Sequence, residues 1–282
     1  MVLLHSLEEL HAWQRDNAWA SRQTGFVPTM GALHEGHASL IRLAAERCEL
    51  VVVSVLVNPT QFNEQDDFES YPRTLDRDAA FASNAGAHAV FAPSAEELYG
   101  GVPSAPCVDW GPLTHAYEGA HRPGHFDGVV AVVDLLFDAV RPSLSVFGEK
   151  DLQQVAVVKR LARERHPNLE VVVGALVRDD HGLALSSRNT RLDQEGLVTA
   201  RRLSRTLHEM QEVCAKGGDV AEALIAGREA LDTTPGITLE YLDVVDTQSF
   251  EPSRGAEDQD AHVVVAAHVQ GVRLIDNAPL RT

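Results

Sequence analysis

The strongest constraint on the fold is an alternation of two hydrophobic periods along the chain. Residues 51–57, VVVSVLV, form an almost unbroken β-branched run, the pattern of a strand covered on both faces. Just upstream, residues 25–28 are a short apolar stretch that ends at Pro28 and leads to Gly31, and residues 37–49 place Leu40, Ile41, Ala44 and Ala45 at helical spacing. The alternation continues with a predicted helix over Leu75–Ala85, a strand over 89–92 and a strand over 143–147 ended by Gly148. A helix over Leu152–Arg165, closed by Pro167, and a strand over 169–174 complete it. Repeated β-then-α units imply an α/β fold with a doubly wound parallel sheet and right-handed crossovers. The character changes near residue 177: residues 192–214 and 220–231 look helical, and residues 238–245 and 261–269 alternate like strands around a polar loop at 253–260. That reads as a smaller α+β C-terminal domain, reached through residues 178–189.

Charge and cysteine usage narrow the function classes. The 282 residues carry 24 Lys+Arg against 41 Asp+Glu, a formal charge of −17. Phosphate-backbone binding needs clustered cations, so a general nucleic-acid binder is not expected. A small anionic substrate remains compatible, because a pocket sets its own local field. Cys48, Cys107 and Cys214 lie far apart without a CxxC, which fits a reducing, cytoplasmic protein better than a disulfide framework or a cysteine zinc site. No apolar run approaches the roughly 18 residues of a membrane span. The start, MVLLHSLEEL, reaches Glu8 and Glu9 without a basic region, so no secretory leader is expected.

In an open parallel sheet, ligands bind beyond the carboxyl ends of the strands. The polar segments placed there are residues 29–37, 58–62, 148–154 and 179–189, which should converge. Pro28-Thr29-Met30-Gly31-Ala32-Leu33-His34-Glu35-Gly36-His37 leaves a strand and opens a helix, where backbone N–H groups and the helix dipole favour anions. His34 and His37 share one face of the first turn. They fit a phosphate-binding pair, a pair of capping or surface histidines, or, less well, part of a zinc site lacking a third ligand. No GxGxxG or GxxxxGK[ST] occurs, which removes the dinucleotide and P-loop fingerprints. Gly148-Glu149-Lys150-Asp151 offers a backbone open to a ligand and a point charge for phosphate, or simply a solvated turn. Ser186-Ser187-Arg188-Asn189 offers hydroxyls and a guanidinium fork, or an ordinary polar loop. Gln61 and Gln154 carry both donors and acceptors, as a hydroxy acid would require.

Taken together these segments resemble the nucleotidylyl-transferase superfamily, whose HxGH and downstream Ser-Ser-Arg elements grip a triphosphate. The strings PTMGALHEGHASL, VNPTQF, EGAHRPGHFDGV, FGEKDLQQ and GLALSSRNTRL, in this order and followed by VVVAAHVQGVRLIDN, resemble the pantoate–β-alanine ligase (pantothenate synthetase) family. That resemblance implies a Rossmann-like nucleotide- and pantoate-binding domain over 1–176, a C-terminal lid over 177–282, and a homodimer. It implies an ATP-dependent condensation of pantoate with β-alanine through a pantoyl-adenylate, releasing AMP and pyrophosphate, with Mg²⁺ accompanying ATP. Carried across residue by residue, Met30, Gly31, Ala32, Leu33, His34, Glu35, Gly36 and His37 would contact ATP, with His37 the proton donor to departing pyrophosphate. Gly148, Glu149, Lys150, Asp151, Val177, Leu185, Ser186, Ser187 and Arg188 would complete the nucleotide site, the charge on the leaving group falling to His34, His37, Lys150 and Arg188. Gln61 and Gln154 would hold pantoate, with Gln61 also near β-alanine. Ala131, Leu135 and Arg77 depart from residues common in that family, and metal contacts near Asp76 and Asp78 stay unassigned. Two other readings are a plain nucleotidylyl transferase, which leaves VNPTQF and FGEKDLQQ without a purpose, and a non-catalytic or histidine-metal protein.

Overall fold

A computed structural model describes residues 1–253, 255 and 260–280. Six strands, β1 (Val2–Leu4), β2 (Thr24–Thr29), β3 (Leu50–Val55), β4 (Ala89–Phe91), β5 (Leu144–Gly148) and β6 (Glu170–Gly174), form one sheet in the order β1-β4-β3-β2-β5-β6. Every pairing in it is parallel. The β-branched run behaves as its composition requires, since Val51, Val52 and Val53 are fully buried. On one face, helix Glu35–Arg47 and helix Leu75–Ala85 cover Val27, Val51, Val53, Val90 and Val146. On the other, Phe137 of helix His125–Val140 packs its ring edge-on against Phe26 and Phe147, at 6.4 and 6.2 Å between centroids. The chain therefore winds the sheet on both sides.

The strand order places the functional segments. Chain progress from β2 runs through β3 to β4 on one side and resumes with β5 and β6 on the other. The reversal lies between β2 and β5, and a ligand crevice is expected beyond their carboxyl ends. Residues 29–37 follow β2, residues 58–62 follow its neighbour β3, and Gly148 closes β5.

Helix His125–Val140 has no counterpart among the sequence expectations. Most of its residues are buried, and its polar face is reduced to Asp127, Asp134 and Asp138, too narrow a stripe to make the 3.6-residue period stand out. Strand β1 is three residues long at the sheet edge, and helix Leu7–Asp16 follows it with Leu10 as its one buried residue.

The chain divides into two compact units, Met1–Glu149 with Val157–Ala175, and Lys150–Ala156 with Leu176–Thr282. Lys150–Ala156 thus belongs with the second unit although it precedes residue 177. In that unit, helices Gln194–Ala215 and Val220–Asp232 accompany an antiparallel sheet of β7 (Ile237–Asp246), β8 (Ala261–Val269) and β9 (Val272–Pro279). Leu203, Leu207, Leu231, Leu242, Val263 and Val265 form its core. The sequence expectations contained β7 and β8 but not β9. Residues Gln270 and Gly271, both at positive φ, make the two-residue turn that starts it. The polar loop expected at 253–260 falls largely outside the described residues, which omit 254 and 256–259. No helix among the described residues is long and apolar enough to cross a membrane.

Candidate active site

The turn after β2 is built to place two imidazoles. His34 is the N-cap of helix Glu35–Arg47, and its Nδ1 accepts the Gly36 backbone N–H at 3.2 Å. His37 reciprocates, its Nδ1 accepting the His34 backbone N–H at 3.2 Å. A backbone amide can only donate, so both Nδ1 atoms are unprotonated and each neutral ring carries its proton on Nε2. The two rings lie 4.2 Å apart between centroids. The histidines are caps, as one sequence reading allowed, and the capping fixes the tautomer that makes each Nε2–H a donor.

The expectation that backbone amides of this turn would meet an anion is modified. Gly31 and Ala32 both have positive φ, +82° and +50°, a conformation that is strained for alanine. It is held by Asp78, a buried residue on helix Leu75–Ala85, whose two carboxylate oxygens accept the Ala32 and Leu33 N–H groups at 2.9 and 2.8 Å. The Thr74 hydroxyl adds a third bond at 3.1 Å. The turn's own anion cradle is thus filled by an internal carboxylate, and Leu33 packs its side chain into the core. The sequence analysis left Asp78 without a role because an acid in the first turn of a helix is an ordinary complement to the dipole. Glu35 is exposed and paired with Arg42, which holds its carboxyl below the usual range.

Gln61 is gripped from two directions. Its backbone carbonyl accepts from His125 Nδ1 at 2.9 Å. Arg122 Nη1 donates to His125 Nε2 at 3.1 Å; a guanidinium only donates, so His125 is neutral with its proton on Nδ1. The Gln61 side-chain oxygen accepts from Asn58 Nδ2 at 3.2 Å, which turns the amino group toward Met30 Sδ, 2.8 Å away. Asn58, almost wholly buried, is itself oriented by a bond from the Tyr99 hydroxyl to its Oδ1 at 3.1 Å and by its own donation to Gly128 O at 3.1 Å. Burial pushes the Tyr99 phenol above its ordinary pKa, so it stays a donor. Met30, the His34–His37 pair and Gln61 therefore occupy the adjoining ends of β2 and β3. Arg122 and His125 of the RPGHF string support the Gln61 carbonyl, and Tyr99 had no signal in the sequence, since it reaches Gln61 through Asn58.

The remaining expected residues lie in the second unit, apart from Gly148 and Glu149 in the first. Lys150 sits in a short 3₁₀ turn, Glu149–Asp151, its ammonium 3.3 Å from Asp151 Oδ1. Gln154 is half-buried in the following helix, Leu152–Arg165. Residues 177–185 fold back on themselves: Leu185 N–H donates to Val177 O at 3.0 Å, and Gly182 takes a φ of +90° in the turn. Ser186 then caps the turn Ser187–Arg191, its Oγ accepting the Arg188 N–H at 3.3 Å. Among the described residues no group of three His, Cys, Asp or Glu could hold a metal ion.

The family model described as pantoate-beta-alanine ligase matches residues 2–279. The chain belongs to the pantoate–β-alanine ligase family. A pantothenate synthetase of Nocardioides sp. is 46% identical over 286 residues, which span 99% of this chain and 85% of that protein. One from Bacteroides fragilis is 42% identical and covers 98% of each chain. The crystal structure of pantothenate synthetase from Thermus thermophilus is similar over 100% of both chains, with a TM-score of 0.91 at 43% identity. A Francisella tularensis pantoate-beta-alanine ligase, complexed with beta-gamma ATP and β-alanine, has a TM-score of 0.82 at 30% identity over 99% of this chain and 98% of that one. For a pantoate–β-alanine ligase, the parallel sheet and the small antiparallel C-terminal sheet are the architecture expected.

Proposed function

We propose that the protein condenses (R)-pantoate with β-alanine at the expense of ATP. In the first step a pantoate carboxylate oxygen attacks the α-phosphorus and pyrophosphate leaves, giving pantoyl-adenylate. In the second, the β-alanine amine attacks the acyl carbon and AMP leaves, giving pantothenate; the amine proton passes to solvent or to departing AMP. A carboxylate is a poor acyl donor, and adenylation supplies its leaving group.

The observation that carries this reading is the reciprocal capping of His34 and His37, which makes both Nε2–H groups donors at the end of β2, in the turn whose Met30 meets the amino group of Gln61. Negative charge grows on pyrophosphate as it leaves, and donors fixed in advance stabilise it without reorganisation. In this proposal His37 donates to the departing pyrophosphate, and His34, Lys150 and Arg188 share its charge. Residues 30–37, Gly148, Glu149, Asp151, Val177 and 185–187 complete the ATP contacts, those of Ala32 and Leu33 being made by atoms other than the amides that Asp78 holds. Gln61 and Gln154 bind pantoate, Gln61 through its Nε2 donor. With a net charge of −17 on the chain as a whole, these few cations dominate attraction for the nucleotide. Mg²⁺ enters with ATP as part of the substrate, since it keeps several waters and binds mainly through phosphates. Positioning the amine beside the acyl carbon can supply about 7–11 kcal/mol, so no dedicated base is required. The C-terminal residues from 177 act as a cover that keeps water from the adenylate. A homodimer working in the cytoplasm belongs to the same proposal.

Two assays test it. Pyrophosphate exchange into ATP should require pantoate but not β-alanine, and AMP release over many turnovers should require both. Exchange without pantoate, or an adenylyl group retained in the final product, would refute it.

A further inference from the structure

A buried polar cluster in the second unit has no part in the steps above. Arg178 makes a bidentate pair with Asp276 on β9, Nη1 to Oδ2 at 2.7 Å and Nη2 to Oδ1 at 2.9 Å. The same guanidinium donates to Gly182 O at 2.9 Å, across the turn 178–184, and to Asn277 O at 3.1 Å. Asp276 Oδ1 also accepts the Asn277 backbone N–H at 2.7 Å. Asn277 then reaches 127 residues back along the chain, its Nδ2 donating to the Lys150 carbonyl at 3.1 Å.

Asp276 and Asn277 are both almost wholly buried. A buried ion pair adds little net stability over a well-packed apolar substitute, so stability alone gives weak reason for this set. Burial pushes the Asp276 carboxyl above the ordinary range, opposed by Arg178 and by the field of Lys150. The Lys150 ammonium is therefore electrostatically coupled to the cluster as well as tethered through its backbone.

The cluster touches the bases of two segments and the tip of neither. One is the Lys150 turn. The other is the fold-back that leads through Leu185 to the Ser186 cap and Arg188. We propose that Arg178, Asp276 and Asn277 are positioning residues that fix Lys150 and the 185–188 turn as one preformed cation set for the phosphates of ATP. The inference rests on Lys150 and Arg188 being ATP ligands. Each of the two segments is a short turn without a sheet partner of its own. Linking both to β9 removes the freedom they would otherwise lose on binding, which is the general advantage of preorganisation.

The test is a double-mutant cycle read by pantoate-dependent pyrophosphate exchange and by calorimetry. Asn277→Ala should raise the KM for ATP and lower the exchange rate, together roughly tenfold or more. The KM for pantoate should change less than that for ATP, because Gln61, one of its two proposed ligands, is held by bonds within the other unit. In a Lys150→Ala background the Asn277→Ala change should have no further effect. Asn277→Gln, which keeps a carboxamide donor, should recover part of the loss, and it carries the cycle if the alanine variant does not fold. Equal losses from Asn277→Ala in both backgrounds, or loss of thermal stability with ATP kinetics unchanged, would overturn the inference. Should Lys150→Ala itself leave exchange unchanged, the assignment of Lys150 to ATP fails, and the inference falls with it.

Discussion

Gly128→Ala isolates the support under Gln61. Gly128 lies in the first turn of helix His125–Val140, where alanine ordinarily stabilises a helix by about 0.5–1 kcal/mol relative to glycine. Here a Cβ would stand 2.3 Å from Thr60 O and 2.6 Å from Gln61 Cα, where ordinary contact begins near 3.4 Å. The atoms it meets are backbone, so no side-chain rotation relieves the overlap. The helix and the turn Pro59–Gln61 must part by about 1.1 Å, the difference between 2.3 and 3.4 Å. That movement stretches both the Asn58–Gly128 and the His125–Gln61 bonds. Overpacking of this kind costs about 1–3 kcal/mol, and at about 2–4 °C per kcal/mol for a domain of this size Tm falls by several degrees. A misplacement near 1 Å can lower a rate by about 10²-fold, and here the loss should appear in exchange rate and pantoate KM, with ATP KM less affected. Calorimetry and the exchange assay measure the two effects on one preparation. A variant as stable as the parent, with unchanged pantoate KM, would refute the view that the RPGHF helix sets the position of Gln61.

Three further outcomes follow from the same geometry. His37→Ala should lower the adenylation rate by about 10²–10³ through loss of one preorganised donor, while the lost cap costs only about 1 kcal/mol; a proportionate collapse of Tm would make the residue structural. Asp78→Ala strands the Ala32 and Leu33 N–H groups, at about 1–3 kcal/mol for each buried donor, so chemical denaturation should show a clear stability loss along with lost exchange. Gly148→Ala should leave Tm unchanged, because its Cβ would meet only Leu40 Cδ1 at an ordinary 3.5 Å, yet it should raise the ATP KM by crowding the nucleotide; an unchanged KM would remove Gly148 from the site.

The pattern of β-branched and helical runs was sufficient to specify the parallel sheet, because strands buried on both faces must be almost uniformly apolar. Strand β3 and the helices Leu75–Ala85 and Leu152–Arg165 follow directly from it. The ordered strings at 28–40, 57–62, 147–154 and 182–192 likewise pointed to the ligase family by their resemblance to it. Helix His125–Val140 and strand β9 were hidden, the first because only the narrow stripe of Asp127, Asp134 and Asp138 interrupts its apolar surface and the second by dependence on its neighbour β8. Tertiary structure alone decided which atoms of the functional residues are presented. His34 and His37 became Nε2 donors only because each caps the other's backbone, and the amides of the preceding turn were taken by Asp78, 45 and 46 residues away. Gln61 acquired its orientation from Asn58, Tyr99 and His125, and Lys150 its anchor from Asn277. Hydrophobic periodicity is a local property and survives in one dimension. Hydrogen-bond direction is set by partners that only the folded chain brings within about 3 Å.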